Sequence, residues 1–102
     1  MAKLYRQGDI LFKEISRVPR GKRNVRKNGV VAEGEATGHL HRVENTNKAE
    51  VFDVGKDLIV SSPKGIRILH DEHDPIKLPA GNFEVVRQRE HTQFGSSRVV
   101  AD

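Results

Sequence analysis

Cysteine and tryptophan are both missing from this 102-residue chain. Without thiols there are no disulfide staples and no thiolate metal site, so a bound metal would draw on His, Asp, Glu and water. Aromatic residues are scarce, at 5% of the chain. Tyr5, Phe12, Phe52, Phe83 and Phe94 all lie away from the basic segment, which leaves no stacking platform for unpaired bases there. No run approaches the roughly 18 apolar residues of a membrane span. The opening Met1-Ala-Lys-Leu-Tyr-Arg-Gln-Gly-Asp9 lacks the apolar stretch of a signal peptide. The expectation is a cytoplasmic protein with no membrane partner. No serine occupies a G-x-S-x-G elbow, and no glycine-rich phosphate loop follows a strand, so kinase and hydride-transfer chemistries are disfavoured.

What is present bounds the fold. The length suits a single domain, 1–102, with a modest core, so added stability or a complete site would call for a homo-oligomer. Hydrophobic residues make up 35% and charged residues 31%, a balance suited to a small β domain with one wet face per sheet. Short apolar runs predict strands at Asp9 to Glu14, Gly29 to Glu33, His39 to Glu44, Glu50 to Val54, Asp57 to Ser61, Ile66 to His70 and Phe83 to Glu90, with an eighth at Arg98 to Val100. Turn chemistry separates them: Asn45-Thr-Asn47, Val54-Gly-Lys-Asp57, Ser61-Ser-Pro-Lys-Gly65 and Leu78-Pro-Ala-Gly81. The spacing predicts an all-β barrel or sandwich of about seven or eight short antiparallel strands.

Histidines dominate the candidate chemistry. His39 and His41 stand in the run Gly34-Glu-Ala-Thr-Gly-His-Leu-His-Arg-Val-Glu44. On an extended strand, residues two apart share a face roughly 6.6 Å from each other, so both imidazoles could address one cation. In Leu69-His-Asp-Glu-His-Asp-Pro75, a bend before the proline would let His70 and His73 converge, with Glu72 the first choice among the acids. His91 closes the last long strand, on one face with Arg87 and Arg89, which could orient an anion or bridge to Glu44 or Glu50. The candidate metal ligands are therefore His39, His41, His70, His73 and His91. Ligand type does not choose between zinc, nickel, iron and manganese. Four bound histidines would close the site, whereas three would leave room for chemistry, so enzymatic activity stays open.

Gly34, then His39-Leu-His41, then Pro79-Ala-Gly81 and a later histidine, His91, resembles in order the two signature motifs of cupins, small β-barrel metalloproteins. That resemblance implies a barrel with His39 and His41 as paired ligands and a nearby glutamate. Glu44 stands closer to the pair than the cupin glutamate does, and His91 lies farther from its turn. The combination of the Gly8-Asp-Ile10 opening, GEATGHLHRV, LHDEHDPIKLPAG and VVRQRE also resembles a group of small bacterial and phage-associated proteins of unassigned function. The first functional reading is thus a small cupin-like protein that binds a divalent metal through a histidine cluster.

Charge supplies a second reading. The formal net charge is +4. Arg17, Arg20, Lys22, Arg23, Arg26 and Lys27 fall within eleven residues that contain no acid. Such a segment suits the phosphates of a nucleic acid, or forms a solvated loop between strands. On this reading the histidines are incidental, or act as a metal-free acid and base on RNA. A third reading is a phage-associated structural or assembly protein whose edge strands pair between subunits.

Overall fold

A computed structural model describes residues 3–33 and 38–87, together with the backbone of 90–91 and 97–98. Its strands are β1 (Leu4–Gln7), β2 (Ile10–Ile15), β3 (Arg23–Val25), β4 (Val30–Glu33), β5 (Leu40–Val43), β6 (Glu50–Val54), β7 (Asp57–Ser62), β8 (Ile66–His70), β9 (Ile76–Leu78), β10 (Gly81–Arg87), β11 (Glu90–His91) and β12 (Ser97–Arg98). A six-stranded sheet runs in the order β1-β2-β10-β7-β6-β3 and a four-stranded sheet in the order β4-β5-β8-β9, with β11 and β12 a separate ribbon. Every pairing is antiparallel. The all-β expectation holds, and of its two architectures the open, sandwich-like one is found instead of a closed barrel.

Each of the seven principal expected strands is found. The chain adds β1, β3 and β9, short strands that carry one hydrogen-bonded strand neighbour each. His39 is the correction inside the expected set. Gly38 adopts a φ of 73°, and β5 begins only at Leu40, so His39 precedes the strand instead of opening it. The last two residues of the expected strand Arg98 to Val100 lie outside the described residues.

Alternation along the strands builds the interior. Ile10 and Phe12 of β2, Val51 of β6, Val60 of β7, Ile66 and Ile68 of β8, and Phe83 of β10 are all buried in one cluster between the sheets. Phe52, Val54 and Ile59 belong to a second cluster on the opposite face of β6 and β7, covered by Ile15 and Val18. This is why Val51-Phe52 and Leu58-Ile59-Val60 read as continuous apolar runs: these strands are buried on both faces, whereas a strand with one wet face alternates.

Two hairpins are closed by glycine. Gln7 pairs with Ile10 across the two-residue loop Gly8-Asp9, and Val54 pairs with Asp57 across Gly55-Lys56. Gly8 and Gly55 have φ of 61° and 59°, while no non-glycine residue has positive φ. A positive φ at the first loop position alone marks type II′ turns, which match the twist of the flanking strands. The first of these turns sets Asp9 at the end of the sandwich where the histidines gather.

Candidate metal centre

The cluster grows out of the inward face of the small sheet. Val43 of β5 stands opposite Ile68 of β8, and the next inward pair along the same two strands is His41 opposite His70. Directly opposed residues share a sheet face, so the apolar row turns into imidazole as it reaches the end of the sandwich. His73 follows from the bend after β8, and His39 from the residue before β5. The His41 and His70 ring centroids lie 4.3 Å apart, His70 and His73 4.5 Å, His39 and His70 5.6 Å, and His41 and His73 6.3 Å. The structure therefore gathers the histidines expected at 39, 41, 70 and 73. The side chain of His91 lies outside the described residues.

Gln7 of the opposite sheet and Glu72 of the bend after β8 orient two of these rings. Gln7, 2% exposed, donates from its Nε2 to the carbonyls of Ile68 (2.8 Å) and Asp74 (3.0 Å). Both amide protons are thereby used, and the Oε1 of Gln7 faces His41 Nδ1 at 2.9 Å. That oxygen can only accept, so His41 carries its proton on Nδ1 and its lone pair on Nε2. His39 Nδ1 lies 3.2 Å from Glu72 Oε1, an acceptor only, so the Nδ1 position carries a proton there too. A metal-binding histidine usually gives the proton of its other ring nitrogen to a carboxylate or carbonyl oxygen in this way.

His70 is held differently. Its Nδ1 accepts the backbone N–H groups of Glu72 (2.9 Å) and His73 (3.0 Å), so in the neutral ring the proton sits on Nε2. Among the described residues no three His, Asp or Glu side chains stand ready as a metal-holding group. For His70 to join a coordination shell, the Asp71 to His73 bend must give up its two hydrogen bonds to the ring.

Electrostatics disfavour a proton on the two rings at the middle of the cluster, His41 and His70. His41 is 3% exposed and its pKa is lowered from 6.5 to about 4, chiefly by burial and then by the neighbouring His70, with the Asp9 carboxylate opposing. Burial and the adjoining His73 and His39 lower the pKa of His70 as well. Asp9 Oδ1 lies 4.0 Å from His41 Nε2, and Asp9 Oδ2 lies 3.5 Å from Arg87, whose other guanidinium nitrogen donates to the Glu33 carbonyl at 2.6 Å.

Other expected partners are elsewhere. Glu44, at the position nearest the cupin glutamate, is paired with Arg67, and Glu50 faces Arg23. Arg87 meets Asp9, not either of those acids, and Arg89 lies outside the described residues. Of the basic run, Arg26 grips Asp53 with two hydrogen bonds of 2.9 and 3.1 Å, and Arg23 lies over the Phe52 ring. β3, which carries Arg23, and β1, which carries Gln7, form opposite edges of the large sheet, so the fold does not join the basic run to the histidines.

The family described as "Domain of unknown function (DUF8820)" matches residues 6–88. The chain belongs to this family. The matched stretch takes in Gln7, Asp9, the four gathered histidines and Arg87, and ends before His91. Neither the curated proteins nor the solved structures include a significant match to the chain.

Gln7 and Asp9 are the site residues that sequence reasoning missed. Beside Gly8 they read as ordinary turn residues, and no local spacing ties them to a histidine more than thirty positions away. The available signal was the placement of a polar Gln immediately before a hairpin glycine, on the same face as Tyr5.

Proposed function

We propose that this domain binds one divalent metal ion at the end of the sandwich, with His39 and His41 as the primary nitrogen ligands and His73 and Asp9 beside them. The observation that supports this most is the fixed orientation of His41, whose Nδ1 is committed to Gln7 Oε1 so that the lone pair sits on Nε2, with His39 held from the other side by Glu72. Ring spacing fits it to within about 1 Å: the centroids of His41 and His73 lie 6.3 Å apart, against about 5 Å for imidazoles tetrahedrally placed at about 2.1 Å from one ion. So does the lowered pKa of His41, because a metal competes with protons for the nitrogen and a ring already neutral at pH 7 has no proton to lose. The likeness to cupins is then one of ligand chemistry, paired histidines on a β scaffold, without a counterpart for the cupin glutamate. A bound divalent ion would polarise a ligand or water at an open position; among the chain's residues, Gln7 and Glu72 fix the ligand rings and Arg87 holds Asp9 in place.

One observation favours a second reading. The rings of His41 and His70 lie 4.3 Å apart, one with its lone pair and the other with its proton on Nε2, which offers a metal-free base and acid side by side. A base whose pKa is about 4 is weak at neutral pH, which ranks this reading below metal binding.

The test is elemental analysis of protein purified without a histidine tag, followed by titration of chelator-treated protein with zinc, nickel, iron(II) and manganese. About one ion per chain is expected, with at least tenfold weaker uptake in His39→Ala. His39 is half-buried, so that variant keeps the core intact, which circular dichroism verifies. A wild-type protein that carries no stoichiometric metal and takes none up at micromolar concentration overturns the proposal.

A further inference from the structure

The basic run is not a loose loop. Val18 packs on the outer apolar cluster formed by Phe52, Val54 and Ile59. A Cβ on Gly21 would stand only 3.1 Å from Val54 Cγ1, so the backbone lies close against that cluster at this point. Residues 16–22 are thus a strap pressed onto the outer face of the large sheet, and Arg17, Arg20 and Lys22 project from it into solvent.

The charges divide into two sets. Arg23 and Arg26 are engaged internally, with Glu50 and Phe52 in the first case and Asp53 in the second. Arg17, Arg20, Lys22 and Lys27 are exposed and form no ion pair among the described residues. The strap runs through β3 into a groove of about 500 Å³, whose lining includes Arg26, Lys27, Thr46, Asn47, Lys48 and Ser61, and one acid, Glu50, which faces Arg23. Cations with hydroxyl and amide groups between them are the side chains that bind phosphate oxygens.

We infer that the strap and this groove together bind the phosphate backbone of duplex nucleic acid, independently of base sequence. Duplex is favoured over single strand by the aromatic content of the surface. Single strands are held by stacking on exposed rings, and here the nearest ring, Phe52, is fully buried beneath Arg23. Anchoring by Val18 and Gly21 holds the strap before binding, so less order has to be imposed when phosphates arrive. The surface stands apart from the proposed metal centre, and loss of either leaves the other standing.

Fluorescence anisotropy with a labelled 20-base-pair DNA of arbitrary sequence tests the inference. Binding in the micromolar range at low salt is expected, with a log–log salt slope of about −3 to −4 if four cations each displace a counterion. The charge reversal Arg17→Glu/Arg20→Glu/Lys22→Glu should weaken binding at least tenfold, and Lys27→Glu/Lys48→Glu several-fold. All five side chains are exposed, so folding should survive, and circular dichroism checks it. His39→Ala should bind DNA as the wild type does. Absence of binding at 50 mM salt, or binding that ignores both charge reversals, overturns the inference. So does equally tight binding to vesicles containing anionic lipid, which would make the strap a membrane-surface patch, or tighter binding to a single strand of the same length.

Discussion

In the histidine cluster, the side chains that touch one another come from positions as distant as Gln7 and Arg87, whereas in the strap the cations are neighbours in the chain and barely touch anything. At the cluster, β1, β5, β8 and β10 and the turns beside them each deliver one or two polar groups to the same end of the sandwich, where buried donors need acceptors. At the strap, a single apolar anchor and one close-approaching glycine hold the backbone down, and the charges are left to water. Polar groups gathered by topology become an interdependent network; polar groups adjacent in sequence and exposed act one by one. The two regions should therefore respond very differently to single substitutions.

The largest effect should come from Gln7→Ala. The change removes three hydrogen bonds at once and leaves the Ile68 and Asp74 carbonyls and His41 Nδ1–H without their partner. Buried polar groups left unsatisfied cost about 1 to 3 kcal/mol each, so a loss of about 4 kcal/mol in urea denaturation is expected. Any single strap substitution, such as Arg20→Ala, should stay within about 0.5 kcal/mol. Nitrogen NMR of the histidine rings gives an independent reading: His41 should be the Nδ1–H tautomer in the wild type. Finding the Nε2–H tautomer would break the orientation argument even if the stability loss were as large as stated.

That dependence also explains what could be read in advance. Strands at Glu50 to Val54 and Ile66 to His70 announce themselves by their flanking turns, the first as an apolar run and the second by alternation. β1 and β3 do not: Leu4-Tyr-Arg-Gln7 and Arg23-Asn-Val25 are too short and too charged to show a period, and they exist because a neighbouring strand offers its edge. Ile76-Lys-Leu78 is hidden behind Pro75 for the same reason. The convergence of His70 and His73 was legible in the bend, and their meeting with His41 required only that two predicted strands pair. Gln7 and Asp9 could not be found that way, since their role arises from the packing of one sheet over the other. The basic run was visible at once, but its division into engaged and solvent-facing cations was not, because Asp53 and Glu50 lie on another strand.

A second contrast concerns pH. His41 keeps a pKa of about 4 in the folded chain against 6.5 unfolded. Between these values the unfolded chain binds a proton that the folded chain refuses, so stability should fall as pH drops from about 6.5 and level off below about 4. In metal-free protein the loss is about 3 kcal/mol from His41, and His70, shifted in the same direction, adds to it. The groups facing His41 are His70, His73, Asp9 and Arg87, and of these only Asp9 favours the protonated ring. Thermal melts in chelator between pH 7 and 4 check this. His41→Gln should flatten the profile, whereas the strap charge reversal should leave its shape unchanged. A wild-type melting temperature that stays constant across the window would show that burial does not keep the ring neutral.

A smaller effect on stability, and the one that sharpens the boundary of the strap, should come from Asp53→Asn. Arg26 and Asp53 are both partly exposed, so solvent screening limits the pair to at most about 1 kcal/mol despite its two hydrogen bonds. Removing the carboxylate charge leaves Arg26, already on the wall of the groove, as a further cation for a phosphate. Affinity for the duplex should then rise two- to threefold at low salt, and the salt slope should steepen by about 0.9, the value of one more displaced counterion. If the slope does not change, Arg26 lies outside the footprint and the duplex is held by the strap without the groove. The direction of that single number therefore decides whether the fold presents one continuous cationic surface or two separate ones.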